Sequence, residues 1–193
     1  RRIGPSFLNA GIGFGGYCLP KDIRAFSWIA SQYAVDFNLL KEVDKINTAR
    51  VPNFIDKIKK VLWVLKGKNI AVWGLSFKPD TDDIRESPAI AVVDELLNLG
   101  VNIKAYDPSI ADIFTKGGLP ASFEAIGRHS SAIEAATDAD ALVILTEWNE
   151  FKGIDLLELK EKMTSPIIFD GRNIYDSKLI RGIGFEYHGI GLR

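Results

Sequence analysis

The 193-residue sequence holds one cysteine, Cys18, in the run Gly13-Phe14-Gly15-Gly16-Tyr17-Cys18-Leu19-Pro20-Lys21-Asp22. Proline suits the first turn of a helix, where its missing N–H would have had no partner, so Pro20 predicts a helix N-terminus close to the sulfur. The positive end of that helix dipole and the Lys21 ammonium both favour a thiolate, which is the nucleophilic form of the side chain. The glycines permit positive φ and close approach of a ligand to the backbone. A single cysteine also packs well as a small buried apolar group; the flanking residues favour the reactive reading.

A second chemistry-bearing run is Gly74-Leu75-Ser76-Phe77-Lys78-Pro79-Asp80-Thr81-Asp82-Asp83-Ile84-Arg85-Glu86-Ser87-Pro88. It follows a strand-like apolar stretch and ends where Ser87-Pro88 opens a helix. A dinucleotide turn would read Gly-x-Gly-x-x-Gly there; one glycine followed by Phe77 and Lys78 does not suit NAD. A lysine meets a phosphate or hydroxyl as a point charge, and a phenylalanine can flank a sugar or base. Arg85, and Arg172 in Asp170-Gly171-Arg172-Asn173, carry guanidinium groups that fork onto phosphate, although either could equally serve a surface ion pair. Asp107 stands where a ribose-reading acid would lie, but without the glycine fingerprint Asp107-Pro108 reads as a strand-ending turn. Asp80, Asp82 and Asp83, beside Thr81, Arg85 and Glu86, read as a solvated, self-paired loop. His129 and His188 stand without partners at ligand spacing, and no metal is expected.

The elements that must hold these groups divide in two. Residues 20–65 are helical, with Ile23, Phe26, Ile29 and Ala30 forming one apolar stripe. A break is expected over 33–38, after which Leu40, Val43, Ile46, Asn47, Val51, Phe54, Ile58, Val61 and Leu65 resume the stripe, with Pro52 expected to kink or divide it. Such a stripe needs cover, from the chain's own second domain or from a partner. Lys66-Gly67-Lys68 marks the boundary, giving a central helical region over 1–65 and a second domain over 66–193. In the latter, strands are expected at 69–75, 101–106, 139–146 and 167–170, a last one at 185–188, and helices at 88–99 and 154–163. That alternation argues an α/β fold, a Rossmann-like parallel sheet with helices on both faces, preceded by a long helix that carries the cysteine loop. The four tryptophans are expected in core or interface.

Composition narrows the function classes. Near-half apolar content with a net charge of −1 describes a soluble globular chain without the basic stripe that nucleic acid requires. No run is long enough to cross a bilayer. One cysteine cannot form an internal disulfide, in keeping with a reducing, cytoplasmic setting.

The three motifs together resemble the UDP-glucose/GDP-mannose dehydrogenase family: the cysteine segment Gly-x-Gly-Gly-x-Cys-x-Pro-Lys-Asp, the nucleotide-binding run around Phe77-Lys78, and the short Asp-Gly-Arg, in the family's order. The resemblance spans nearly the whole chain. It implies an NAD-dependent double oxidation of UDP-glucose to UDP-glucuronate, with Cys18 capturing the aldehyde and passing through a thiohemiacetal and a thioester. It implies that Asp22 activates water, with helix capping the alternative for that residue. By the same resemblance Phe7, Leu8, Asn9, Ala10, Gly11, Gly15, Phe77, Lys78 and Arg172 contact the nucleotide-sugar, Arg2 reaches it across a homodimer formed through the central helix, and Lys21 and Arg85 meet NAD. GDP-mannose or another nucleotide-sugar is the alternative substrate, although Lys78-Pro79-Asp80-Thr81 looks more like the UDP-glucose branch. In the family an NAD-binding domain precedes the cysteine segment and holds most of the cofactor, together with a catalytic lysine, asparagine and glutamate. The chain thus reads as the C-terminal part of a longer enzyme, without turnover alone, or as a UDP-binding and dimerisation module.

Overall fold

The computed structural model describes residue 4 and residues 8–192. Its chain runs α1 (Cys18–Gln32), α2 (Asn38–Leu62), β1 (Asn69–Trp73), α3 (Pro88–Asn98), β2 (Asn102–Tyr106), α4 (Ile110–Lys116), β3 (Gly127–Arg128), α5 (Ala132–Ala136), β4 (Ala141–Ile144), α6 (Asn149–Lys152), α7 (Leu156–Lys162), β5 (Ile167–Asp170), α8 (Ser177–Ile183) and β6 (Glu186–Gly189). Among the described residues all six strands are parallel, in the order β3-β2-β1-β4-β5-β6. That is the Rossmann order, with its topological switch between β1 and β4.

The central strands read as unbroken apolar runs because both faces are covered. Side chains alternate along β1: Ile70 and Val72 join a core with α3 and the second half of α2, whereas Ala71 and Trp73 join one with α5, Phe151, Leu159 and Ile180 on the other face. Ser87 caps α3, its hydroxyl accepting from the Ala89 N–H at 3.3 Å, with Pro88 in the first position.

The helical break expected over 33–38 separates α1 from α2. Two expectations change. Pro52 does not divide α2, which runs through it; Pro52 is exposed, so water can serve the carbonyl that its missing N–H leaves unpaired. The helix also closes at Leu62 rather than 65, with Trp63 at φ +56. This turns buried Leu65 back onto the core. The poorly patterned stretch before residue 130 holds α4, a 3₁₀ turn (Ala121–Ala125) and the short edge strand β3.

Burial is uneven along the helices. In α1 only Pro20 is buried, and in α2 only Phe54, Ile55, Ile58 and Leu62, all beyond Pro52. Phe26, Trp28, Ile29, Leu39 and Ile46 are exposed. Of the tryptophans, Trp73 and Trp148 are core, whereas Trp28 and Trp63 face outward.

Candidate functional site

Ligands of open α/β sheets bind beyond the carboxyl ends of the strands at the switch point, and the loops after β1 and β4 meet there. Gly74 ends β1 at φ +90, and a Cβ there would run into the Thr146 side chain, so glycine lets the two loops touch. The Thr146 hydroxyl donates to the Ser76 carbonyl at 2.6 Å. The Ser87 hydroxyl donates to the Leu75 carbonyl at 2.9 Å.

The organiser of this turn is Asp107. It is fully buried and does more than end β2. One carboxylate oxygen accepts from the N–H groups of Leu75 and Ser76 at 2.8 and 3.2 Å, the Ser76 hydroxyl at 3.1 Å and the Trp148 indole at 3.2 Å. The other accepts from Ser109 N–H at 2.8 Å. These bonds consume the acid that a dinucleotide fold would aim at a ribose, and the β1 turn lacks the glycine fingerprint. This sheet's own crevice therefore does not fit NAD.

The cysteine loop docks onto the same turn. The Gly16 N–H donates to the Arg85 carbonyl at 2.9 Å. A Cβ on Gly15 would strike the Glu86 carbonyl, and one on Gly16, at φ +80, would lie 2.7 Å from the Phe77 ring. Asn47 of α2 grips the loop from its other side: its amide oxygen accepts from the Phe14 N–H at 2.8 Å and its amide nitrogen donates to the Phe14 carbonyl at 3.1 Å. Asn47 was legible only as one more position of the helical stripe. Arg24 forks onto Glu86 at 2.9 and 3.0 Å.

Cys18 itself is the first residue of α1, two positions before Pro20, and is exposed. The helix is regular from there, so Asp22, four residues on, shares its face. Asp22 does not cap the helix; it pairs with Lys21 at 3.1 Å. The Asp22 carboxylate holds the Lys21 ammonium above its usual pKa, with smaller support from Tyr17 and Cys18. Arg85 lies over the Tyr17 ring at 4.9 Å and forks onto Asp83, which raises the guanidinium's pKa further, the Tyr17 and Cys18 charges adding to it. Lys21 and Arg85 thus both lie against the ring of Tyr17, the residue before the thiol, at 5.3 and 4.9 Å, where the sequence pointed to Lys21 alone.

Lys78 is exposed and lies over the Phe77 ring at 5.4 Å. Phe77 and Arg172 line one small crevice with Ile12, Gly13, Pro88 and Leu145. Arg172 is anchored by Asp170, whose carboxylate accepts from the N–H groups of Arg172, Ile174 and Tyr175 at 2.9, 2.8 and 3.3 Å and from the Tyr187 hydroxyl at 2.7 Å. Gly11 sits against the Arg172 guanidinium, a Cβ there falling 2.5 Å from Nη1. Leu8 and Asn9 are exposed and Ala10 is half-buried. Arg2 and Phe7 lie outside the described residues. The acidic loop is tied outward as well as within itself, since Asp82 pairs with Lys116 of α4. Among the described residues no group of three His, Cys, Asp or Glu side chains could hold a metal, and no helix is long and apolar enough to cross a membrane.

Two family models match the chain. The UDP-binding domain of the UDP-glucose/GDP-mannose dehydrogenase family covers residues 71–177, and that family's central domain covers residues 1–49. A UDP-glucose 6-dehydrogenase of Rickettsia conorii is 45% identical over 99% of this chain and 44% of its own length. The Bacillus subtilis UDP-glucose 6-dehydrogenase YwqF is 44% identical over 99% of this chain and 42% of its own. The chain therefore spans less than half the length of these relatives. Among solved structures, a UDP-glucose dehydrogenase from Pyrobaculum islandicum superposes with a TM-score of 0.81 at 27% identity, over 100% of this chain and 41% of that one. A UDP-D-ManNAc dehydrogenase from Pyrococcus horikoshii gives 0.73 at 31% identity, over 94% and 39%. With the matched central and UDP-binding domains falling on the cysteine loop and on the Rossmann sheet, this chain belongs to the UDP-glucose/GDP-mannose dehydrogenase family.

Proposed function

We propose that this chain is the nucleophile-bearing and nucleotide-sugar-binding part of an enzyme that oxidises the C6 alcohol of UDP-glucose to the carboxylate. The observation that supports it best is the docking of the Cys18 loop onto the Phe77 turn through the Gly16 to Arg85 backbone bond. That bond ties the loop carrying the exposed thiol to the turn whose Phe77 shares a crevice with Arg172, which supports a common site for them. Residues 1–65 serve as the helical dimerisation region and 66–193 bind the nucleotide-sugar, with Arg172, Phe77, Lys78 and the 7–11 run, including Leu8, Asn9, Ala10 and Gly11, around it. Gly15 contacts the ligand through its backbone while its bare Cα lets the loop close onto Glu86, and Arg2 completes the site from the second protomer.

NAD, when bound, supplies the hydride acceptor; Lys21 and Arg85 are this chain's contacts to it, the rest being held elsewhere in the whole enzyme. The C6 alcohol first loses its hydroxyl proton and a hydride to become the aldehyde; Cys18 then adds as thiolate to that carbon, forming a C–S bond while the carbonyl oxygen takes a proton, which gives the thiohemiacetal. Loss of hydride from that carbon and of the hydroxyl proton leaves the thioester. Asp22 draws a proton from water, the water oxygen attacks the thioester carbon, and the C–S bond breaks to return the thiol and the acid. The unburied faces of α1 and of α2 before Pro52 support a homodimer through these helices.

The test uses the whole enzyme. Cys18→Ser is expected to lower acid formation from UDP-glucose by on the order of a thousandfold or more, as loss of a covalent nucleophile does, while UDP binding persists. Undiminished turnover by that variant refutes the reading, and a preference for GDP-mannose over UDP-glucose moves the substrate to the alternative. The isolated chain is expected to bind UDP and to form no NADH.

A further inference from the structure

We propose that Glu147 is a positioning residue that sets the Arg172 guanidinium for the phosphates of the bound nucleotide, an assignment that rests on the nucleotide-sugar reading above. Glu147 follows β4 at the topological switch, one residue past the Thr146 that touches Gly74. Its carboxylate takes one edge of the guanidinium: one oxygen accepts from Nη2 at 2.5 Å and the other pairs with Nε. Both side chains are largely buried, 15% exposed for Arg172 and 21% for Glu147, so the pair is shielded from the screening that weakens surface pairs.

A guanidinium has five N–H donors in a rigid plane. Glu147 takes one Nη2–H in a hydrogen bond and sets its second oxygen against Nε as an ion pair, so that edge of the plane is occupied, and the Nη1 hydrogens and the remaining Nη2–H are the ones left for another acceptor. Nη1 is the atom that faces Gly11. The Nη1 edge of Arg172 thereby meets Gly11 of the 8–11 run, and the residue also lines a crevice with Phe77. The backbone of Arg172 is held independently by Asp170, so removing Glu147 leaves the turn in place and frees only the side chain. A long arginine released from such a clamp must be ordered again at every binding event, which weakens binding.

The opposite sign is physically available and makes the test sharp. A carboxylate beside an arginine also cancels charge that a phosphate would use, so a group that merely competes would weaken binding when present. Calorimetric titration of the 193-residue chain with UDP separates the two. Glu147→Ala is expected to raise the Kd for UDP about tenfold, and Glu147→Gln about threefold because its amide oxygen keeps one bond. In an Arg172→Ala background the further change Glu147→Ala is expected to cost nothing, since the clamp then has nothing to hold. Thermal unfolding of the near-isosteric Glu147→Gln variant checks that the fold is intact. Equal or tighter UDP binding by both Glu147 variants overturns the assignment, and so does a tenfold loss that persists without Arg172. Failure of the unaltered chain to bind UDP, or wild-type affinity in Arg172→Ala, overturns instead the nucleotide reading of the crevice and removes the basis of the assignment with it.

Discussion

Before Pro52 the helices bury almost nothing; beyond it the same helix α2 enters the core on Phe54, Ile55, Ile58 and Leu62. The two regions also use charge differently. In the helical region the acids pair locally, Asp22 with Lys21, Asp36 with Lys41 and Glu42 with Lys45, whereas in the sheet domain Asp107 collects bonds from residues more than thirty positions away. Such local pairs do not fix where the segment sits in the fold. Long-range buried bonds fix a tertiary structure. The core of the sheet domain thus includes the second half of α2, whereas the helical arm before Pro52 is ordered as helix with apolar residues exposed.

The largest expected effect tests that contrast directly. Ile58 has no exposed surface, and Ile58→Ala is expected to destabilise the chain by about 2–5 kcal/mol in denaturant unfolding, through lost burial and the cavity left behind. Trp28, 64% exposed, has more surface, yet Trp28→Ala is expected to change the same transition by no more than about 0.5 kcal/mol. A comparable loss from Trp28→Ala would mean the arm is already packed. Next comes Asp107→Ala, which strands the buried N–H groups of Leu75 and Ser76 and is expected to cost about 3 kcal/mol, at about 1–3 kcal/mol for each orphaned group. Asp107→Asn, which keeps one acceptor oxygen, should fall between. A loss below about 1 kcal/mol for the alanine variant would show that the turn stands without its acid.

Much of this was legible in the residues, and what was not has a physical reason. The strands β1, β4 and β5 are short apolar runs bounded by turn residues, and burial on both faces makes such runs conspicuous. By contrast β3 is two exposed residues, Gly127 and Arg128, at the sheet edge, and carries no pattern at all. The Cys18 loop, Phe77, Lys78 and Arg172 announced themselves because each belongs to a contiguous motif. Asp107, Asn47 and Glu147 did not, because their partners are separated from them by 25 to 41 positions in sequence. Spacing rules see helical turns and strand alternation; they do not see contacts that only the folded sheet brings together.

A smaller effect is expected at the joint between the two regions. Asn47 is the one residue of α2 whose side chain clamps the cysteine loop by two bonds. Asn47→Ala should cost about 1 kcal/mol, and the loss should appear locally, as faster hydrogen exchange at the Phe14 amide with the core strands unchanged. Exchange that quickens equally in β1 and β4 would mean the loop is an integral part of the sheet domain rather than a joint to it.

The smallest effect separates the regions by pH. Glu134, which accepts from the Ser130 hydroxyl and N–H at 2.7 and 2.9 Å, is held by those bonds, with help from His129, at about 2 instead of 4.5. Asp36 is likewise held below its usual value, by Lys41 and Asn38. Both are depressed acids, so each contributes stability above its unfolded pKa that fades as pH falls through the folded one. For Glu134 the window runs from about 4.5 down to about 2. The two acids differ in what they are attached to. Glu134 belongs to the α5 cap of the cooperative sheet domain, so Glu134→Gln should lower Tm near neutrality, leave it unchanged at the acid end of that window, and so flatten the fall between them. Asp36 stands just before α2 at the exposed end of the arm, and Asp36→Asn should leave the domain's Tm curve where it was. If instead Asp36→Asn flattens the same curve, arm and domain unfold as one unit, and the exposed face of α1 is no evidence for a missing partner.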